Sequence, residues 1–357
     1  MNYQEFLAKK THATGSYGFE TIWMPESAFD FQENIINKAI RKGRIGMFAD
    51  TGLGKTLMQI VIAENIIRHT NKRVLILTPL AVAFQFIDEA TRIGVDDIAH
   101  SKDGSLTKKI TVCNYERLHL LNPEDFVCVM LDESSILKNF AGKIRDQIVA
   151  FIKQVPYRFL STATPSPNDF IELGNSSEAL GYMGYMDMLS KFFKSNQGSA
   201  DSNNRNIGEK FYLKPHAERD FFAWVNQWSV MVKKPSDLGF SDAGYELPAL
   251  HTKKHIVNNS NTWCLEGQES LFAMPARTMT EVREEQKLTV KERCEEAVKL
   301  AIGKTSVYWC NLNEESSLLS TLDSDAVEII GGMSIDKKEE ILVAFARGEI
   351  KRLITKA

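Results

Sequence analysis

From residue 44 to residue 160 the chain repeats one pattern: a short unbroken apolar run, a few small or polar residues, then apolar positions at helical spacing. A strand-like run ends at Phe48, and an amphipathic helix is expected from Leu57 to Ile67. The runs Arg73 to Leu77 (RVLIL) and Phe126 to Leu131 (FVCVML) are continuous and branched, as in strands buried on both faces of a parallel sheet. Further strands are expected at Ile110 to Cys113 and Tyr157 to Leu160, and helices at Ala81 to Ile93 and Glu116 to Leu121. Ahead of these, Ile35, Ile36, Ala39 and Ile40 mark a helix, while Met1 to Glu26 reads as an irregular arm. The alternation predicts an open, largely parallel α/β sheet with ligand sites at the carboxyl ends of its strands.

Beyond residue 168 the pattern becomes helical, from Asp169 to Leu180 and from Gly184 to Phe193, and the polar stretch Ser195 to Gly208 is read as a flexible loop. In Phe211 to Pro248, Phe221, Phe222, Trp224 and Trp228 recur at helical spacing, flanked by Lys214, His216, Arg219, Lys233 and Lys234. Such a stripe is more often core, although basic residues interleaved with aromatics can also grip a phosphate backbone and stack on bases. A charge-rich helix is expected from Val282 to Ile302. A second α/β unit follows, with strands Ser306 to Cys310, Ala326 to Ile330 and Arg352 to Thr355 and helices Glu314 to Leu322 and Lys337 to Arg347. No residues remain for a helix after the last strand, so this unit is expected to be cut off in mid-fold.

Composition narrows the classes. The 357 residues suffice for two or three domains, and the hydrophobic and charged fractions are those of a globular protein. A net charge of -3 provides no global basic field, so any nucleic-acid surface has to be local. Cys113, Cys128, Cys264, Cys294 and Cys310 are scattered, with no CxxC pair, which argues against a disulfide framework or a zinc site. No export signal or membrane-length apolar run is present. A cytoplasmic setting is expected.

The chemistry concentrates after the first strand. Ala49-Asp50-Thr51-Gly52-Leu53-Gly54-Lys55-Thr56 has the form of a phosphate-binding (Walker A) loop between a strand and a helix. Its glycines let backbone N–H groups turn inward around a polyphosphate, and the helix N-terminus adds partial positive charge. Lys55 is expected at the β- and γ-phosphates and Thr56 on magnesium. Gln32, upstream, carries a carboxamide suited to the edge of adenine, which selects ATP. Asp132 and Glu133 stand at the end of a buried strand, where two carboxylates are costly unless a cation uses them. Asp132 is expected to hold Mg2+ and Glu133 to orient and deprotonate the attacking water. Ser161-Thr162-Ala163-Thr164-Pro165, at another strand end, offers hydroxyls that can couple the acidic pair to a neighbouring lobe.

This constellation resembles the superfamily 2 helicases and translocases, and within them the Swi/Snf-like group as found in phages and prophages. The matching stretches are Gln32 upstream, Asp50 to Thr56 as motif I, Leu77-Thr78-Pro79 as motif Ia, Asn114-Tyr115-Glu116 as motif Ib or Ic, and Asp132-Glu133-Ser134-Ser135 as motif II. Leu137-Lys138-Asn139 and Thr162-Ala163-Thr164-Pro165 with Pro167-Asn168 are especially Swi/Snf-like. The stretch from Leu213-Lys214-Pro215-His216-Ala217 through Trp228, then Lys234 to Gly239, looks like the phage-encoded versions. In the second unit, Ser306 to Asn311 looks like motif IV, Ile330 to Ser334 like the turn after it, and Leu353 to Lys356 like the approach to motif V.

The resemblance implies two RecA-like lobes with parallel sheets, the P-loop NTPase fold, the second lobe incomplete and a mainly helical insertion between them. The expected boundaries are an arm over 1–28, a first lobe over 29–175, insertion and linker over 176–280, and a partial second lobe over 281–357. It further implies an ATP hydrolase that moves on DNA in phage replication, recombination or repair within a bacterial host, alongside phage replication or nuclease proteins. Thr78, Pro79, Asn114 and Tyr115 are expected to hold the DNA backbone, and Thr162 and Thr164 to couple the lobes. Motif II reads DESS where many relatives have DEAH or DEAD. The body of motif V and all of motif VI are missing, and with them an arginine worth about 10³–10⁵ in rate in this family. The chain is therefore expected to bind ATP and DNA but to hydrolyse slowly. Two rival readings are another P-loop enzyme, with Glu133 serving a metabolite, and an ATP-switched DNA clamp with little turnover.

Overall fold

The computed structural model describes residues 17–80, 82–138, 143–195, 211–245, 248–257 and 278–356. Residues 1–16 of the expected arm, Ala81, Asn139, 196–208 of the polar loop and Cys264 lie outside the described residues. The chain divides into two units, Met1–Pro248 and Ala249–Ala357, and each is α/β. In the first, α1 (Asp30–Lys42) leads to β1 (Arg44–Ala49), α2 (Lys55–Thr70), β2 (Arg73–Thr78), α3 (Ala83–Arg92), β3 (Ile98–His100) and β4 (Ile110–Asn114). There follow β5 (Phe126–Asp132), α4 (Lys143–Ile152), β6 (Tyr157–Ser161), α5 (Leu173–Leu180), α6 (Tyr185–Phe192), β7 (Phe193–Ser195), β8 (Phe211–Leu213), α7 (Glu218–Trp228) and β9 (Ser229–Val232). Seven strands form one sheet in the order β3-β4-β2-β5-β6-β1-β9, with every neighbouring pair parallel. β7 and β8 pair separately as an antiparallel ribbon.

The period of two along each strand divides the core. Val74, Ile76, Cys128 and Met130 face one side, where they pack with Ile35, Ile36, Met58 and Ile62 of α1 and α2. Leu75, Leu77, Val129 and Leu131 face the other, against Ile148, Ile152, Leu180 and Trp228. Each buried aliphatic side chain contributes about 1.5–3 kcal/mol. Continuous apolar runs were needed because both faces are covered.

Helix α2 differs from the amphipathic expectation: it is buried almost all round, from Leu57 to Ile67. Sheet, α1, α3 and the segment before α1 enclose it. Asn65 makes that last contact, its Oδ1 accepting from the N–H groups of Ile22 and Trp23 at 2.8 and 2.9 Å and its Nδ2 donating to Trp23 O at 2.8 Å. Asn65→Ala leaves these backbone groups without their partner, and a loss of about 3 kcal/mol is expected in urea unfolding. A loss under about 1 kcal/mol would show that water replaces the amide.

Other differences have local causes. The expected helix after Asn114 is a 3-10 turn, Tyr115–Leu120. The aromatic stripe is core at Phe221, Trp224 and Trp228, while Phe222 is exposed. Residues 229–232, within the segment read as insertion, supply β9, which pairs with β1 from Gly46↔Ser229 to Ala49↔Val232. The long helix expected from Val282 to Ile302 is two, α8 (Met279–Leu288) and α9 (Val290–Ala301). Thr289 parts them: its hydroxyl turns back to Gln286 O at 3.4 Å, and Arg293 reaches the same carbonyl at 2.6 Å.

The second unit continues with β10 (Ser306–Cys310), α10 (Asn313–Leu322), β11 (Ala326–Glu328), α11 (Ile335–Ala346) and β12 (Arg352–Lys356), in a parallel sheet ordered β10-β12-β11. Val290, Cys294, Tyr308, Leu319 and Ile354 form its core. Tyr308 donates to Asp323 Oδ2 at 2.8 Å and Arg352 Nε to the same oxygen at 2.6 Å, tying β10 and β12 to the end of α10. No helix among the described residues is long and apolar enough to cross a membrane.

Candidate nucleotide site of the first unit

The carboxyl ends of β1, β2, β5 and β6 share one edge of the sheet, and the sequence-predicted residues gather there. The loop between β1 and α2 turns through Gly52 at φ 82° and Gly54 at φ 78°, both left-handed. At Gly54 a β-carbon would displace the Gln32 amide, and the left-handed backbone there strains any residue but glycine. Gln32 is buried in the first turn of α1. Its Oε1 accepts from Phe29 N at 3.1 Å and its Nε2 donates to Leu53 O at 3.1 Å, so that it braces the loop from beneath. Leu53 is anchored in the core, while Thr51 and Gly52 are exposed. Asp50 Oδ1 accepts from Thr51 N at 2.7 Å, and Asp50 N donates to Val232 O at 2.9 Å, joining the loop to the end of β9. Lys55 Nζ folds over the loop and donates to the carbonyls of Ala49 and Asp50, both at 3.1 Å. Thr56 lies beside it, half-buried, in the first turn of α2.

Opposite the loop, β5 ends at Asp132. Burial pushes this carboxyl above the ordinary carboxylate range, and Glu133 adds to that; hydrogen bonds from Gln59 and Thr78 and the nearby Lys55 charge act the other way. Gln59 Nε2 donates to Oδ1 at 2.9 Å, and Thr78 Oγ1 to Oδ2 at 3.4 Å. Tyr115, whose phenol is pushed well above its ordinary value first of all by burial, donates to the Asp132 main-chain carbonyl at 2.6 Å. Glu133 then takes a left-handed conformation, φ 52°, which costs a non-glycine residue about 1–3 kcal/mol. The kink turns the chain out of the sheet, so that Asp132 stays buried while Glu133 is half-exposed. Glu133 Oε2 accepts from Thr162 Oγ1 at 3.0 Å, and Thr162 in turn accepts from Thr164 N at 3.0 Å. Thr162 thereby ties the end of β6 to Glu133, while the side chain of Thr164 is exposed.

The fit to a nucleotide and a cation can be tested on the residues themselves. Gln59 Oε1, Ser134 Oγ and Ser161 Oγ are buried without a hydrogen-bond partner. Ser134 follows the acidic pair, and Ser161 is the register partner of Asp132. A buried carboxylate amid unpartnered polar oxygens, opposite a left-handed glycine loop and a lysine, fits Mg–polyphosphate.

The four residues expected at the DNA backbone differ in exposure. Thr78 and Asn114 are fully buried and Tyr115 is 5% exposed. Thr78 and Tyr115 bond to Asp132, while Asn114 donates to Pro79 O at 3.1 Å and accepts from Arg117 at 2.6 Å. Their side chains are committed to the interior of the site, and Pro79 alone of the four is partly exposed. Gln59, which bonds Asp132, carries no motif signature in the sequence. The signal in the sequence is a glutamine and an asparagine set within the apolar run from Leu57 to Ile67, both of which the structure buries.

No family model and no curated protein matches the chain. Among solved structures it is similar to the UvsW helicase from bacteriophage T4, at 14% identity and a TM-score of 0.37 over 46% of this chain and 62% of that one. The chain thus spans less than two thirds of that protein. It is also similar to the Sulfolobus solfataricus SWI2/SNF2 ATPase core in complex with dsDNA, at 12% identity and a TM-score of 0.46 over 96% of this chain and 80% of that one. A structure of the Sulfolobus solfataricus SWI2/SNF2 ATPase core domain gives 14% identity and a TM-score of 0.43 over 94% of this chain and 80% of that one.

Proposed function

We propose that this protein is a nucleic-acid-dependent ATP hydrolase of the Swi/Snf-like helicase or translocase type. The observation that carries the reading is the meeting of a glycine loop and Lys55 with Asp132 and a kinked, threonine-bound Glu133 on one sheet edge. Lys55 and the loop N–H groups bind and orient the phosphates, and Gln32, with its remaining donor and acceptor, faces the adenine. Thr56 and Asp132 are the residues that would hold Mg2+. When bound, Mg–ATP supplies the γ-phosphoryl group and a cation that offsets charge on its oxygens. Glu133 takes the proton of the attacking water, and Thr162 holds its carboxylate toward the site in the meantime. With a nucleotide bound, Lys55 would exchange its two loop carbonyls for phosphate oxygens.

On this reading the track is DNA, held mainly through its backbone and so with little sequence preference. The finer setting we propose is phage replication, recombination or repair in the bacterial cytoplasm, with phage replication or nuclease proteins as partners. Steady-state ATPase assays without DNA and with single-stranded, forked and duplex DNA test the reading. Turnover is expected to rise on adding DNA, and the DNA needed for half-maximal stimulation is expected to climb steeply with salt. ATP hydrolysis indifferent to every DNA form would favour an ordinary P-loop ATPase.

A further inference from the structure

Gln59 sits one turn beyond the phosphate loop, on the buried helix α2. Its side chain has no exposure to solvent. Nε2 donates to Asp132 Oδ1 at 2.9 Å, whereas Oε1 is buried without a hydrogen-bond partner. An apolar residue of the same size would pack there without an orphaned amide oxygen, so core packing alone does not account for the glutamine. Turning the amide over would set Oε1 against the carboxylate, so charge fixes the orientation. Asp132 has other neighbours, but they act elsewhere or at longer range: Tyr115 holds its main-chain carbonyl, and Thr78 reaches Oδ2 at 3.4 Å. Gln59 makes the short, directed contact to the carboxylate, and it comes from the helix that carries Lys55 and Thr56.

We propose that Gln59 is a positioning residue for the cation site, fixing the rotation of the Asp132 carboxylate relative to Thr56 and locking the phosphate-loop helix to the end of β5. The proposal rests on the ATP reading above. It separates two properties: binding of a nucleotide by the loop is independent of Gln59, while the dependence of that binding on magnesium is not.

The test uses the full chain, a fluorescent ADP analogue and two variants. Gln59→Met keeps the volume and removes the donor; Gln59→Asn keeps the donor on an arm too short to reach. Each is titrated with the nucleotide in EDTA and then across Mg2+ concentrations, with thermal melting as a check on folding. Expected are binding in EDTA equal to wild type and a rise of about tenfold in the Mg2+ needed for half-maximal binding. An unchanged Mg2+ dependence in whichever variant folds would overturn the proposal while leaving the ATP reading intact. Wild-type protein that binds no nucleotide would overturn both.

Discussion

Protein carrying Glu133→Gln is expected to hydrolyse ATP about 10²–10⁴ times more slowly than wild type while binding nucleotide as tightly. Glutamine keeps the length of the side chain and an oxygen that can accept from Thr162, so the hydrogen bond seen at 3.0 Å survives. What is lost is the ability to take a proton. Turnover and equilibrium binding measured on the same preparation separate the two effects. Retention of more than about a tenth of wild-type turnover would mean that Glu133 is not the base, and that the kink at its backbone serves another group.

The second large effect is expected at Lys55. Lys55→Ala removes the one side-chain cation of the loop, and turnover is expected to fall by about 10²–10³ or more, with weakened nucleotide affinity. The fold is expected to survive, since among the described residues Nζ hydrogen-bonds to the carbonyls of Ala49 and Asp50 at the half-exposed mouth of the loop. Melting temperature, fluorescent-nucleotide binding and ATPase rate report on the three points independently. DNA-stimulated hydrolysis that persisted in Lys55→Ala would remove the loop from the mechanism.

The parts that sequence made legible share a physical cause. β2 and β5 are covered on both faces, which forces unbroken apolar runs such as RVLIL and FVCVML, and such runs cannot be mistaken for exposed segments. The loop was legible because left-handed turns at Gly52 and Gly54 restrict residue choice so strongly. β9 was hidden for the opposite reason: four residues directly after a helix carry too little pattern to mark a strand, and its pairing with β1 is a long-range choice. Thr78, Asn114 and Tyr115 show a further limit. Their positions at strand ends were clear, but a residue at the end of a strand can face outward or inward, and only packing decides which. All three turn inward, and two of them join the hydrogen bonds around Asp132 that Gln59 completes.

The place of β9 in the sheet bears on how the site comes into being. β1, which delivers the phosphate loop, is an edge strand until residues 229–232 add alongside it, and Asp50 gains its bond to Val232 only then. During synthesis the loop-bearing strand therefore waits for some 180 further residues with one row of N–H and C=O groups unpaired. Closing so distant a pairing is entropically slow and comes late in folding. A fragment ending before β9 would leave the cradle strand at the edge of the sheet, as a template for association between chains.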